Sequence, residues 1–230
     1  MRVHSALRNH DLPSRKTMKK FVIAVSAAIA ACIAVPVFAG VGPAADEWDI
    51  GPVIKGRNYS VNMPRTMLET PRGPSFDFPH STKDAGHVHY VTVPIRSLAG
   101  ARRIILTYRI DADRNVRFVS QERPHEPAAL SLYFQRAGDR WNKRTPHYRW
   151  YAPGNRLSFL APGRHTVAID LDEEWISMMG ARTWEQPASF ERAKEEAARV
   201  GFVFGSNTLR GHGVYATGPA RFTVERFEIE

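Results

Sequence analysis

The sequence contains a single cysteine, Cys32, in 230 residues. It therefore has no intramolecular disulfide and no metal centre built from several cysteines. It also lacks the Gly-x-Ser-x-Gly pattern of serine hydrolases and the Gly-Lys-Ser/Thr signature of phosphate-binding loops. The longest apolar run, Phe21–Val35, is shorter than the roughly 20 residues of a membrane-spanning helix. These absences argue against several enzyme classes and leave the hydrophobic core to hold the fold together.

The N-terminal segment has the three parts of a secretory signal peptide. Met18-Lys19-Lys20 is a short basic region, Phe21–Val35 is apolar, and Val37-Phe38-Ala39 ends in a small residue. We therefore expect residues 1–39 to comprise a polar extension and a signal peptide, with translation starting at Met18. Cleavage after Ala39 makes the mature protein periplasmic or secreted.

Two alternatives remain for this segment. Ile29-Ala30-Ala31-Cys32 resembles the lipid-attachment box of bacterial lipoproteins, and an uncleaved Phe21–Val35 would serve as a membrane anchor. The residues after Cys32 stay apolar as far as Phe38, whereas lipoproteins usually continue with a polar tether. This favours cleavage after Ala39, which leaves a mature chain without cysteine and without a transmembrane segment.

The basic excess of the chain depends on where the charges lie. Lysine and arginine number 32 against 23 aspartate and glutamate, so the formal net charge is +9. Such an excess is typical of nucleic-acid-binding proteins. However, six basic residues and only one acidic residue fall within residues 1–39, and without them the net charge is +4. We therefore expect no nucleic-acid partner.

Short segments with period-two alternation follow a small-residue linker at 40–47. Within Arg103–Asp111, for example, every second residue from Ile104 to Ile110 is apolar. Such alternation predicts antiparallel strands with one face on a core. The predicted strands are Ser75–Phe78, His87–Ile95, Arg103–Asp111, Val116–Val119, Leu130–Arg136, His147–Ala152, His165–Asp172, Val200–Phe204 and Ala220–Ile229.

A bulge and one helix are predicted in the same region. In Ala220–Ile229 the apolar residues switch from one face of the strand to the other, which predicts a β-bulge near Glu225-Arg226. Residues 187–199 begin with Pro187 and carry apolar side chains at helical spacing. We therefore expect residues 48–230 to form one all-β domain, an antiparallel β-sandwich or jelly roll with one short helix near 187–199.

The C-terminal third combines an apolar strand, a glycine-rich loop and a final core strand. These are Arg199-Val200-Gly201-Phe202-Val203-Phe204-Gly205, Gly211-His212-Gly213-Val214-Tyr215 and Gly218-Pro219-Ala220-Arg221-Phe222-Thr223-Val224. Their order resembles the end of galactose-binding-like jelly-roll domains, the architecture of many carbohydrate-binding modules. The resemblance covers about residues 165–230. It implies a non-catalytic domain that binds polysaccharide at the cell envelope or outside the cell.

The same resemblance implies a structural calcium ion near the chain ends. Calcium takes six to eight oxygen ligands, many of them backbone carbonyls. The acidic residues available are Asp46, Glu47 and Asp49 at one end and Glu228 and Glu230 at the other. The alternative is that these acids form a solvated rim, and no other cofactor is expected.

The stretch from Tyr133 to Tyr151 interleaves aromatic residues with arginine. Sugar rings have apolar C–H faces that stack on aromatic rings, and hydroxyls that bond to planar polar side chains. Trp141 lies between loop-forming residues and is the best exposed platform, whereas the other aromatic residues alternatively belong to the core. The predicted ligand-binding residues are Tyr133, Arg136, Trp141, Arg149, Trp150, Tyr151, Arg210 and His212.

His87 and His89 form a His-x-His pair whose side chains point the same way on a strand. Such a pair can bind a metal ion. It resembles the first half of a cupin site, although the glutamate of that pattern is missing. The alternative is that both histidines continue the face of Val91 and Val93 as buried, hydrogen-bonded residues.

Two further functions fit parts of the sequence. Ser131–Gly138 is similar to the Tyr-Phe-Lys-Ala-Gly motif of alginate lyases. This similarity implies a polysaccharide lyase of jelly-roll type that acts on an acidic glycan, with tyrosine and histidine as acid and base. The partner Gln-x-His motif is absent. A structural or protein-interaction domain is the third hypothesis, and it predicts neither sugar binding nor lyase products.

Overall fold

The computed structural model describes residues 42–230, which fall within one compact unit. The predicted signal peptide, the start at Met18, the lipoprotein cysteine Cys32 and the cleavage site at Ala39 lie outside the described residues. So does the start of the predicted linker. No helix in the described part is long and apolar enough to cross a bilayer.

The described residues are mainly short β-strands. The strands are β1 (Asp49–Gly51), β2 (Val53–Ile54), β3 (Arg57–Asn58), β4 (Ser75–Asp77), β5 (Tyr90–Pro94), β6 (Arg103–Ala112), β7 (Phe118–Ser120), β8 (Ala129–Arg136), β9 (Arg149–Tyr151), β10 (Ser158–Phe159), β11 (Gly163–Asp170), β12 (Ile176–Ser177), β13 (Ala197–Gly205), β14 (Val214–Ala216) and β15 (Ala220–Ile229). Helix α1 spans Pro187–Glu195, and 3-10 helices span Ala45–Glu47, Lys83–Ala85 and Gly154–Arg156.

Two antiparallel sheets form a sandwich. The larger sheet has the order β1-β5-β13-β8-β9-β12, with β10 also paired to β8, and the smaller has the order β11-β6-β15-β4. Two-stranded ribbons, β14-β7 and β2-β3, lie beside them. The paired strands run antiparallel. The predicted all-β sandwich is confirmed.

Aromatic side chains fill the centre of the sandwich. Phe222 on β15 is fully buried, and its ring stacks on Phe76 and Tyr108 with centroids 5.1 and 4.8 Å apart. Phe202 and Phe204 reach it from β13 in the larger sheet, at 5.2 and 5.6 Å. Because successive residues of a strand point to opposite faces, β13 sends these phenylalanines inward and leaves Val203 on the outer face.

The predicted bulge and the predicted helix are both present, but the helix ends earlier than expected. The bulge in β15 is confirmed, since its register against β6 shifts between Val224 and Arg226. The helix is also confirmed, but it ends at Glu195 instead of Arg199. Residues from Ala197 onward belong to β13, which hydrogen-bonds to a neighbour on each side. That pairing outweighs the local helical pattern.

Candidate functional site

The outer face of the larger sheet carries a second apolar cluster, separate from the core. Its members are Tyr90 on β5, Tyr133 on β8, Tyr151 on β9 and Val203 on β13, all buried. The strand register brings them together, because Tyr133 lies opposite Tyr151 and Tyr90 lies opposite Val203. Trp141 and Met178 pack against this outer cluster.

The three tyrosines of the outer cluster keep their protons. The Tyr133 ring lies 5.0 Å from the Tyr90 ring and 5.1 Å from the Tyr151 ring, measured between centroids. The hydroxyls of Tyr90 and Tyr151 are 2.8 Å apart and share a hydrogen bond. Burial raises the pKa of all three phenols above the ordinary value. All three are therefore uncharged at neutral pH.

The loop between β8 and β9 folds over this face and places Trp141 there. Trp141 has a φ of 56°, a left-handed conformation that is uncommon for a bulky residue. Asp139 stabilises the turn, because its Oδ1 accepts hydrogen bonds from the Trp141 backbone N–H at 3.1 Å and from the Thr145 hydroxyl at 3.0 Å. The indole meets Tyr90 edge to face, with centroids 5.1 Å apart. Strained backbone of this kind is typical of ligand-binding positions.

A buried ion pair joins the same loop to the sheet. The Asp139 side chain has no exposed surface, and that of Arg149 is 8% exposed. Asp139 Oδ2 lies 3.0 Å from Arg149 Nε, although off the N–H direction, and it accepts a hydrogen bond of 2.8 Å from the Gln135 amide. The Arg149 guanidinium lies 5.0 Å from the Trp141 ring centroid, in cation–π contact. Asp139 thus fixes both the backbone and the ring of Trp141.

Two clefts flank the contact between Trp141 and Tyr90. The Arg199 cleft has a volume of about 350 Å³, and its lining includes Tyr90, Gln135, Arg136, Trp141 and Arg199. The Arg210 cleft has a volume of about 440 Å³, and its lining includes Tyr90, Arg149, Tyr151, Asn207, Thr208, Arg210 and His212. Both volumes lie within the usual range for small-ligand sites. Because Tyr90 lines both clefts, they are neighbours on one face.

Seven of the eight predicted ligand-binding residues lie on this face. Tyr133 and Tyr151 belong to the outer cluster, and the clefts are lined by Arg136, Trp141, Arg149, Arg210 and His212. Arg136 is also engaged elsewhere, since it pairs with Glu196 at 2.7 Å and lies 4.3 Å from the Tyr148 ring centroid. The binding role of these residues stays a prediction.

Trp150 is placed differently from the expectation. Its side chain is fully buried, its indole N–H donates to the His147 carbonyl at 2.8 Å, and its ring packs edge-on against Phe190 of α1. The alternation along β9 turns Arg149 and Tyr151 outward and therefore turns Trp150 into the core. Trp150 accordingly presents no ring face to a ligand.

Sequence reasoning missed Tyr90, Asp139 and Arg199. Tyr90 lies between His89 and Val91 on a predicted strand, so its side chain could have been predicted to point to the opposite face of the sheet from theirs. Arg199 pairs with Asp49 and donates to the Thr92 hydroxyl at 2.9 Å, across two strands that are distant in sequence. Nothing in the local sequence signals that contact.

His87 and His89 are hydrogen-bonded to each other. His89 Nδ1 donates to the Gly211 carbonyl at 2.8 Å, so its Nε2 accepts from His87 Nδ1 at 2.7 Å. Burial lowers the pKa of His89 to about 4, which keeps the ring neutral. The pair does not continue the face of Val91, because Val88 occupies the core position.

The candidate metal sites stay predictions. Among residues 42–230, no group of three or more histidine, cysteine, aspartate or glutamate side chains has the arrangement of a metal site. Three of the five acids near the chain ends have arginine partners, in the pairs Asp49–Arg199, Glu228–Arg226 and Glu230–Arg102. The His87–His89 pair and a structural calcium ion are therefore untested expectations.

Comparison with known proteins does not identify a family for this chain. No protein-family model matches the chain, and no curated protein matches its sequence. A xylan-binding module, CBM15, has 12% identity and a TM-score of 0.40 over 80% of this chain and 95% of the module. A mutant of Xylanase10C from Cellvibrio japonicus in complex with xylopentaose has 10% identity and a TM-score of 0.39, over 80% of this chain and 28% of that one. At these scores neither structure identifies the ligand of this chain.

Proposed function

We propose that the outer face of the larger sheet binds carbohydrate without catalysis. The observation that carries this proposal is the placement of Trp141. It lines the Arg199 cleft from a left-handed turn, beside the buried Arg149–Asp139 pair and against Tyr90, which lines both clefts. A large aromatic ring held rigidly next to planar polar groups is the arrangement that recognises a sugar ring.

The polar groups around Trp141 suit a ligand that is rich in hydroxyls. Gln135 and Arg199 line one cleft, and Asn207, Thr208 and Arg210 line the other. Amide, hydroxyl and guanidinium groups provide both hydrogen-bond donors and acceptors. A chain of sugars lying across the strands would contact both clefts at once and pass over Tyr90, which lines each of them.

The chemistry of the site favours binding over bond cleavage. The lyase hypothesis needs a tyrosine that gives up its proton, but burial raises the pKa of Tyr90, Tyr133 and Tyr151. Glycoside hydrolysis needs two free carboxyl groups. The carboxylates that line the Arg199 cleft, Asp49 and Asp139, are each paired with an arginine.

Replacing Trp141 by alanine is expected to weaken retention on a polysaccharide about tenfold. An aromatic contact contributes about 0.5–1.5 kcal/mol beyond its buried area, and 1.4 kcal/mol corresponds to a factor of ten. The measurement is a glycan array followed by affinity electrophoresis with the purified protein. Trp184→Ala is the matched control, because Trp184 is 67% exposed and lines neither cleft.

The two variants separate this site from a general effect of losing tryptophan. Retention by the Trp184→Ala variant should equal that of the wild type. If no polysaccharide is retained by the wild type, or if Trp141→Ala and Trp184→Ala behave alike, the outer face is not the binding site. Release of an unsaturated uronate, followed by its ultraviolet absorbance, would instead establish the lyase.

We also propose that the protein acts at the cell envelope or outside the cell, on the basis of the sequence of residues 18–39. N-terminal sequencing of the protein from the periplasmic or extracellular fraction should begin at Gly40. A lipid-modified Cys32 at the N terminus would contradict cleavage after Ala39. Recovery of the uncleaved chain from the cytosol would contradict export.

A further inference from the structure

The Arg210 cleft contains a guanidinium that lacks a counter-charge. Arg210 is half-buried, and one of its terminal nitrogens donates to the Ala152 carbonyl. In the described part of the chain, no carboxylate lies within ion-pairing distance of Arg210. The other buried or half-buried arginines of the two clefts differ, because each has an acidic partner: Arg149 with Asp139, Arg199 with Asp49 and Arg136 with Glu196.

No other neighbour among residues 42–230 neutralises Arg210. Burial lowers the pKa of Arg210, and the one group that opposes this shift through its charge is Tyr151. Burial in turn raises the pKa of Tyr151, so its phenol carries no negative charge at neutral pH. A guanidinium remains charged under these conditions. The half-buried positive charge is therefore uncompensated.

An uncompensated charge in a cleft points to an anionic ligand. Removing a charge from water without a partner is unfavourable, and an anion that enters the cleft reverses this cost. A guanidinium is planar and matches the two oxygens of a carboxylate in a bidentate contact. Asn207, Thr208 and His212 line the same cleft and can bond to hydroxyls beside such a carboxylate.

We propose that the Arg210 cleft binds the carboxylate of a uronic acid residue, so that the ligand of this protein is an acidic polysaccharide. This inference rests on the proposed carbohydrate binding and deepens it. Trp141 stacks on one sugar ring of the chain, and Arg210 pairs with the carboxylate of another. Neutral polysaccharides then bind through Trp141 and the hydroxyl contacts, without the ion pair, and bind more weakly.

The test compares each acidic polymer with its own carboxyl-reduced form. Alginate, polygalacturonate, hyaluronan and glucuronoxylan serve as probes, since reduction removes the charge and keeps the linkages. The wild type should bind at least one acidic polymer about tenfold more tightly than its reduced form, measured by isothermal titration calorimetry. Arg210→Gln should lose that preference, so that it binds the acidic polymer and its reduced form with similar affinity.

Arg114→Gln is the control for the loss of one positive charge, because Arg114 is exposed and lines neither cleft. It should keep the preference of the wild type. Arg210→Lys retains the charge without the planar fork, so it should keep part of the preference. The comparison of the two polymer forms uses the wild type alone and remains decisive if Arg210→Gln fails to fold.

Two results overturn the inference, and they differ from failure of the proposed function. Equal affinity of the wild type for acidic and reduced polymers shows that the site binds sugar but ignores the carboxylate. Equal selectivity of Arg210→Gln and Arg114→Gln places the anion elsewhere. If the wild type binds neither form of any polymer, and no neutral polysaccharide either, the proposed function itself is wrong.

Discussion

Replacing Phe222 by alanine should lower the free energy of unfolding by about 3–5 kcal/mol, the usual cost of removing a buried aromatic ring. Phe222 is fully buried and lies at the junction of the two sheets. It stacks on Phe76 and Tyr108 of the smaller sheet and contacts Phe202 and Phe204 of the larger. Its removal leaves a cavity that neither sheet can close without moving. Because domains of this kind are stable by about 5–15 kcal/mol, the variant should be marginally folded.

Urea denaturation followed by circular dichroism measures this loss. Phe159→Ala is the matched control, because it removes the same side chain from a position that is 57% exposed. Its effect should stay below about 1 kcal/mol, as is usual for surface substitutions. Similar losses for the two variants would mean that Phe222 does not join the two sheets.

Much of the sandwich could be predicted because most strands have one face on the core. A strand of this kind has apolar residues at every second position, as in β6 and β8. The bulge in β15 was visible for the same reason, since an extra residue shifts the alternation by one. The end of α1 could not be predicted from the sequence, because Ala197 and Val200 fit a helical spacing as well as the strand in which they lie. Only the pairing of β13 with its neighbours decides between the two.

The candidate site was predictable only where its residues are close in sequence. Trp141, Arg149 and Tyr151 lie in one short stretch, so their aromatic and basic character was evident. Tyr90 comes from a strand separated from them by β13 and β8, and the sequence does not encode that order. The sequence did not decide which of Trp150 and Tyr151 faces the core, because these neighbouring residues of β9 point to opposite faces and both are aromatic.

The charges of the site show why an aromatic-rich sequence alone does not identify a ligand. The sequence predicts Arg136, Arg149 and Arg210 alike as ligand-binding residues. In the structure, Arg136 and Arg149 are paired with carboxylates, whereas Arg210 has no acidic partner in the described part of the chain. Only an unpaired guanidinium gains a counter-charge when an anion binds. The arginines that lack a carboxylate partner therefore indicate whether the ligand is anionic, and replacing Arg210 tests this.

Replacing Asp139 by asparagine should destabilise the protein by about 3 kcal/mol and also weaken sugar binding. Removing one partner of a buried ion pair leaves the other as an uncompensated charge, here Arg149, whose side chain is 8% exposed. The asparagine can still accept at Oδ1 from Thr145 and the Trp141 backbone, but its amide nitrogen replaces the oxygen that accepts from Gln135 and faces Arg149. The Arg149 guanidinium then loses the charge that holds it beside Trp141, which weakens its cation–π contact with the indole ring. Urea denaturation and affinity electrophoresis measure the two effects.

Asp77→Asn is the control for loss of a carboxylate, because the Asp77–Arg221 pair is exposed on both sides and should contribute less than about 1 kcal/mol. The double variant Asp139→Asn with Arg149→Met separates the two roles of Asp139. Removing both charges should recover part of the stability, since no buried charge is left unpaired. Sugar binding should stay weak, because the cation–π contact between Arg149 and Trp141 is gone. If binding recovers together with stability, Asp139 acts only on the fold and does not position Trp141.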